Sequence, residues 1–166
     1  MCLEAARAAE KLGFTPIILS TRFDGESREL GKFFAAIAKE IRSKGSPFKQ
    51  PCAIIGGGES VVTLKSNFGP GGPNQEFVLS FLGNMEEDNN YVIAGIDTDG
   101  TDGPTDAAGA LGDGSSIRLA KERNVDIHQT LNNHTSFESL TVIGDLVITG
   151  HTGTNVNDLK LLLFDR

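Results

Sequence analysis

The order of apolar segments between residues 15 and 55 constrains this chain more than any other feature. TPIILS (15–20) is a short, Ile-rich run of strand type. Residues 27–44 follow with helical period, placing Leu30, Phe33, Phe34, Ile37, Ala38 and Ile41 along one side. Gly45-Ser46-Pro47 ends that segment, and CAII (52–55) is a second buried-strand run. Strand, helix and strand at this spacing make a βαβ unit, with two parallel strands and a helix over one face.

The remaining segments extend that sheet. Residues 1–12 read as a helix stopped by Gly13, and they begin helical without an N-cap, which suggests a domain of a longer chain. Residues 59–65 (ESVVTLK) come only a Gly56–Gly58 turn after the second strand, so they are expected to form an antiparallel hairpin with it. Asn74 is placed to cap a helix over 75–82, and YVIAGI (91–96) reads as a strand. Helices are expected over 113–124 and 126–131, with a turn over 132–136. Residues 146–149 and 160–164 are expected to close the fold as an antiparallel pair. The result is a single domain over residues 1–166: a three-layer α/β/α sandwich with a mixed β-sheet.

Charge limits the partners. The formal net charge is −7, and the densest basic stretch, residues 39–49, is broken by Glu40. Nucleic-acid binding needs Lys/Arg clusters that this chain lacks. No apolar run approaches the roughly 18 residues that cross a membrane. Cys2 and Cys52 have neither a disulfide framework nor metal-ligand spacing and read as small buried residues. With no signal-peptide pattern, the expected setting is cytoplasmic, and the sequon at residues 133–135 carries no weight.

Chemistry concentrates in polar loops. In α/β sheets, ligands sit beyond the carboxyl ends of parallel strands. Residues 21–26, 56–59, 97–106 and 150–155 all follow strand-like runs, so parallel strands would bring them to one edge. The loop DTDGTDGPTD holds Asp97, Asp99, Asp102 and Asp106. Such a cluster suits a hard cation completed by substrate phosphates; alternatively, its aspartates cap a helix near 105–110 and form Asx-turns. The Gly56–Gly58 run with Glu59 brings backbone close to a ligand or is a hairpin turn. TGTNVND (152–158) offers more hydroxyls and amides than a two-residue hairpin loop needs. Walker A, Rossmann and nucleophile-elbow patterns are absent. His128, His134 and His151 have no metal spacing and read as structural or exposed.

Taken together, GFTPIILSTRFDGESRE, PCAIIGGGESVVTL, GGPNQEFVL, DTDGTDGPTDAAGA and TGTNVNDLKLLL resemble, in order and over nearly the whole chain, the MOFRL domain. This is the C-terminal domain of class II glycerate kinases, some of which carry the name hydroxypyruvate reductase. The resemblance implies a partner: a Rossmann-like N-terminal domain that joins this one across a cleft. It also implies transfer of the ATP γ-phosphoryl group to D-glycerate with Mg²⁺, a reaction that depends on alignment and charge neutralisation. On this resemblance, Asp99 and Asp102 would hold Mg²⁺ or orient the glycerate hydroxyl, and Glu59 would position substrate or metal. Asn74, Gln75 and Glu76 would face the cleft. Thr152, Thr154, Asn155 and Asn157 would contact phosphate or glycerate.

One departure stands out. The family motif GGRNQE reads GGPNQE here, so Pro73 replaces an arginine suited to clamping a carboxylate or phosphate. Proline brings neither charge nor backbone donor; Arg22 is a candidate replacement from a neighbouring loop. Two further functional readings therefore accompany the kinase: a non-catalytic binding or regulatory module, and, ranked last for want of a nicotinamide fingerprint, a hydroxypyruvate reductase. A domain parted from its partner would also expose an apolar face that favours self-association into a homo-oligomer.

Overall fold

A computed structural model describes residues 1–64, 66–87 and 90–165. The elements run α1 (Cys2–Lys11), β1 (Thr15–Phe23), α2 (Ser27–Lys44), β2 (Cys52–Gly58), α3 (Pro73–Leu82), β3 (Tyr91–Asp97), β4 (Gly109–Asp113), α4 (Gly114–Glu122), α5 (Ile127–Asn133), α6 (Ser136–Ile143), β5 (Leu146–Val147) and β6 (Asp158–Phe164). The strands form one mixed sheet in the order β1-β2-β6-β3-β4-β5. β1 and β2 are parallel, as the βαβ reading requires, while β6 runs antiparallel to both β2 and β3.

Neighbouring residues of β2 show how the layers divide, since successive strand positions face opposite sides of a sheet. A Cβ on Gly56 would meet the Phe23 ring, and one on Gly57 would meet Cys2 Sγ. Phe23 packs edge-on against Phe34 of α2, which in turn packs against Phe77 of α3 at a centroid distance of 5.1 Å. The α2–α3 side therefore holds the main core, built on Phe34, Ile41, Phe77, Phe81, Ile93 and Leu162. α1 covers the other face at the β1–β2 end, completing an α/β/α sandwich.

Several expectations are corrected. Residues 59–64 form no antiparallel strand: Val61 makes a single parallel bridge to Glu26, with Lys65 outside the described residues. The glycines expected to be a turn are strand: Gly56 and Gly58 lie against the Phe23 ring and backbone and Gly57 against Cys2, where side chains would collide. Residues 146–147 do not pair with β6. β5 lies at the far edge on β4, a strand formed where a loop and a helix start were expected. β6 sits between β2 and β3, because a strand apolar on both faces belongs inside a sheet. The turn expected over 132–136 instead holds the end of α5 and the start of a further helix, α6, which the sequence reading does not include.

Candidate functional site

β2 and β3 both run antiparallel to β6, so β1, β2 and β3 point the same way, and β5 joins them through its antiparallel pairing with β4. The loops after all four strands consequently lie at one edge of the sheet. That edge has an exposed rim and a buried floor.

On the rim, the loop after β3 is zipped to the loop before β6. Thr152 N–H donates to Asp99 O at 3.0 Å, and its hydroxyl donates to Thr98 O. Thr98 Oγ1 donates to Asn157 O and accepts from Val156 N–H, each at 2.8 Å. Asp99 Oδ1 accepts from Thr101 N–H and Thr101 Oγ1 at 2.8 Å, while Oδ2 accepts from Asn155 Nδ2 at 3.2 Å. The Thr101 N–H, and then its hydroxyl, hold the Asp99 carboxyl below its ordinary range. Gly100 permits this closeness: at φ +98° its α-carbon sits where a Cβ would come within 2.0 Å of Gly150 O. Thr152, Thr154, Asn155 and Asn157 are exposed along this seam, and Glu59 is exposed at the end of β2.

The floor is a buried polar network. Asp102, 1% exposed, reaches the N-terminus of α3. Its Oδ1 accepts from Asn74 N–H at 2.9 Å and Asn74 Nδ2 at 3.0 Å, and its Oδ2 accepts from Gln75 N–H at 2.9 Å. Burial pushes Asp102 up to about 6 despite these donors. Asn74 Nδ2 also donates to Asp158 Oδ1 at 3.0 Å, and Asn74 Oδ1 accepts from Lys160 Nζ at 2.5 Å. Lys160 completes the set with Asp158 Oδ2 at 3.1 Å and lies over the Phe77 ring. Burial lowers the Lys160 amine, with Asp158 opposing that shift. Gln75 Nε2 donates to Thr105 Oγ1 at 3.0 Å.

Of the residues singled out in the sequence, the structure brings Asp99 and Asn155 into direct contact, with Thr152, Thr154 and Asn157 in the same seam. Asn74, Gln75, Glu76 and Asp102 are buried beneath it with their polar groups largely engaged inside the fold. Glu76 bonds to Arg28 Nη2 at 3.0 Å and His134 Nδ1 at 2.7 Å. Sequence reasoning missed Asp158 and Lys160 as part of the floor. Their signal was the alternation of DLKLLLF, which puts a carboxylate and an amine on the same buried face as Leu162 and Phe164. Arg22 is exposed on β1, where its backbone N–H donates to Ser20 Oγ.

Among the described residues, no three His, Cys, Asp or Glu side chains are grouped to hold one metal ion. A Mg²⁺ held mainly by substrate phosphates and water needs only one or two carboxylates. Asp99 suits that mode, with Oδ2 carrying a single 3.2 Å bond at the rim. Asp102 suits it less, because a metal would have to displace the donors that hold α3.

A mixed α/β sheet with polar loops gathered beyond its parallel strands is the arrangement in which α/β proteins commonly place their ligands. The sequence model described as "MOFRL family" matches residues 52–158, and the chain belongs to that family. The D-glycerate 2-kinase of Thermotoga maritima is 47% identical over 159 residues, covering 96% of this chain and 38% of the relative. The glycerate 2-kinase of Pyrococcus horikoshii is 42% identical over 162 residues, covering 98% and 37% respectively. The crystal structure of a glycerate kinase from Thermotoga maritima matches with a TM-score of 0.94 at 46% identity, covering 98% of this chain and 39% of that one. The chain thus spans less than two fifths of the length of these relatives.

Proposed function

We propose that this domain supplies one wall of the phosphoryl-transfer cleft of a glycerate 2-kinase, acting with a Rossmann-like N-terminal domain on ATP and D-glycerate. The observation that carries this reading is the meeting of Glu59, Asp99 and the 152–157 seam at one edge of the sheet, in a chain whose relatives are named for that activity. The rim offers a carboxylate, hydroxyls and amides, which orient a polyhydroxy acid and its phosphoryl donor. Asp99 would hold Mg²⁺, which supplies charge neutralisation between phosphate oxygens, and Glu59 would position substrate from the end of β2. Thr152, Thr154, Asn155 and Asn157 would contact glycerate or phosphate. Asp102, Asn74 and Gln75 fix the floor on which these groups stand. A partner domain is supported by Leu159, Leu161 and Leu163, half-buried on the α1 face of β6, and by the exposed Leu111 of β4 on the same face beyond β3.

A specific feature favours a second reading, a module that binds without catalysis. Pro73 contributes no charge, and the first free N–H groups of α3 are already given to Asp102, so this helix end offers an anion little. A chimera decides between them: this chain replaces the matching segment of the Thermotoga maritima kinase, and D-glycerate-dependent release of ADP is followed, with the product identified by phosphorus NMR. Turnover yielding 2-phosphoglycerate supports the kinase. A folded chimera that is silent both as it stands and with Pro73→Arg supports the binding module. Gain only with Pro73→Arg, about tenfold to hundredfold for one charge-assisted clamp, would make Pro73 the disabling change.

A further inference from the structure

The two faces of the sheet are unequally covered. The α2–α3 side carries the main core, whereas on the other side α1 lies mainly over β1 and β2. On that second face the strand registers align a continuous apolar surface across β6, β3 and β4. Leu161, Ala94 and Leu111 form its middle row, flanked by the pairs Leu159–Ile96 and Leu163–Val92. Leu111 is 44% exposed at the centre of β4. Asp113 ends one row, but its Oδ1 already accepts from Ser115 N–H at 2.7 Å, at the start of α4. A sheet face of this composition belongs under a second layer.

α1 shows what kind of element completes that layer. Cys2 and Ala9 are its buried stripe. Met1 turns towards β2, with Cε 3.2 Å from where a Cβ on Gly57 would stand, and β2 is the neighbour of β6. Ala5, Ala8 and Leu12 follow Met1 at helical spacing, so this uncharged flank faces the uncovered strands, with Leu12 75% exposed. The charged Glu4, Arg7 and Lys11 stand on the outer side of the helix. The flank of α1 and the rows on β6, β3 and β4 are thus two walls of one apolar trough. Packed helices stand about 8–10 Å apart and strands about 4.8 Å, so a helix beside α1 falls two strands further on, over β6 and β3.

We propose that this trough docks an amphipathic helix of the partner domain, running alongside α1 with an uncharged stripe set against Leu161 and Leu111. The inference rests on the partner domain of the kinase reading but not on its chemistry. The trough continues a helix layer that α1 has begun. The relatives carry more than half of their length outside the matched segment, so the covering helix is on hand within one polypeptide, at an effective concentration that a second copy does not match.

Thiol accessibility tests this. Leu111→Cys and Leu12→Cys place a thiol on each wall, and Ala36→Cys, exposed on α2, is the control. The native Cys2 and Cys52 are buried, and labelling of the unmutated protein is subtracted. Maleimide labelling is compared between this chain alone, at high dilution, and its chimera with the Thermotoga maritima partner segment. Both wall thiols should react about tenfold or more slowly in the chimera, because a docked thiol reacts only when the helix lifts away. Ala36→Cys should react equally in both. The readout needs no turnover, so an inactive chimera with both walls protected speaks against the kinase and still supports the docked helix. Unchanged labelling overturns the proposal. Protection of one wall alone overturns it too, since the occupant would not be packed between them. Protection that vanishes as an oligomeric chimera is diluted to monomer assigns the face to a second copy and likewise overturns it. Where the chimera does not fold, cysteines at the aligned positions of the Thermotoga maritima kinase itself give the same comparison of walls with control.

Discussion

Asn74 and Asp102 are joined twice, the backbone N–H and the side-chain amide of Asn74 both donating to Asp102 Oδ1, at 2.9 and 3.0 Å. α3 has Gly72 at its N-cap and Pro73 at its first turn, so it has no local side chain to close its end. Asp102 provides that cap from a distant loop. It can come so close because Gly72 lacks a side chain: a Cβ there would lie 2.3 Å from the Asp102 carboxyl carbon.

Asp102→Asn should therefore destabilise the chain by about 2 kcal/mol, the scale of a lost cap plus an imperfectly paired buried group. An amide can accept from Asn74 but turns an N–H₂ towards the Gln75 N–H. Urea unfolding of the two proteins measures the difference. An unchanged midpoint would mean that α3 is closed in some other way.

The same residue makes stability depend on pH in an unusual direction. Burial raises Asp102 to about 6 in the fold, against about 3.9 in an unfolded chain. Between those values the native state binds more protons than the unfolded one, so this group's contribution is fully present below about pH 4 and is lost as pH rises through about 6. The loss amounts to roughly 3 kcal/mol at most. The unfolding free energy of the unmutated chain minus that of Asp102→Asn should fall between pH 4 and pH 7, and that subtraction removes the titration of other carboxylates. A flat difference would place the Asp102 titration at the ordinary carboxylate position.

Local periodicity was enough to read α2, whose bounds in the structure are those of the apolar stripe, and the parallel pairing of β1 with β2. The convergence of four loops was legible too, because it follows from strand direction. Other features depend on contacts between remote residues. Gly56, Gly57 and Gly58 look like a turn in isolation and become strand only because Phe23 and Cys2 occupy the space their side chains would take. The apolar pattern of β6 marks an interior strand but does not say that β2 and β3 are its neighbours. In the candidate site, Asp99 and Asp102 look alike in one Gly-rich loop, yet one meets solvent at the rim and the other caps a helix.

Gly31 tests how tightly the α2–α3 layer is packed. A Cβ at this position would lie 2.5 Å from Phe77 O and 2.7 Å from Ser80 Cβ, both on the facing helix. Alanine improves helix propensity by about 1 kcal/mol over glycine, but prising two packed helices apart typically costs about 1–3 kcal/mol. Close approach to backbone cannot be relieved by a rotamer change, so the packing cost prevails. Gly31→Ala should lower the thermal midpoint by several degrees, and a raised midpoint would show that the helices have room to separate.

Asp99 separates the rim from the floor functionally. Thr101 keeps its carboxyl ionised to lower pH than an ordinary aspartate, so the rim keeps its negative charge at pH values where the buried Asp102 carboxyl of the floor is protonated. Asp99→Asn preserves an oxygen for the Thr101 N–H and hydroxyl and removes the charge together with the exposed acceptor for Asn155 Nδ2, so stability should change little. In an active chimera with the Thermotoga maritima segment, turnover should fall about a hundredfold, the scale of losing one electrostatic contact to the reacting group. The Mg²⁺ concentration for half-maximal rate should rise with it, because a cation shared between phosphates and one carboxylate has lost its protein ligand. A reduced turnover with unchanged Mg²⁺ dependence would assign Asp99 to orienting the acceptor hydroxyl, whereas unchanged turnover would remove it from the reaction altogether.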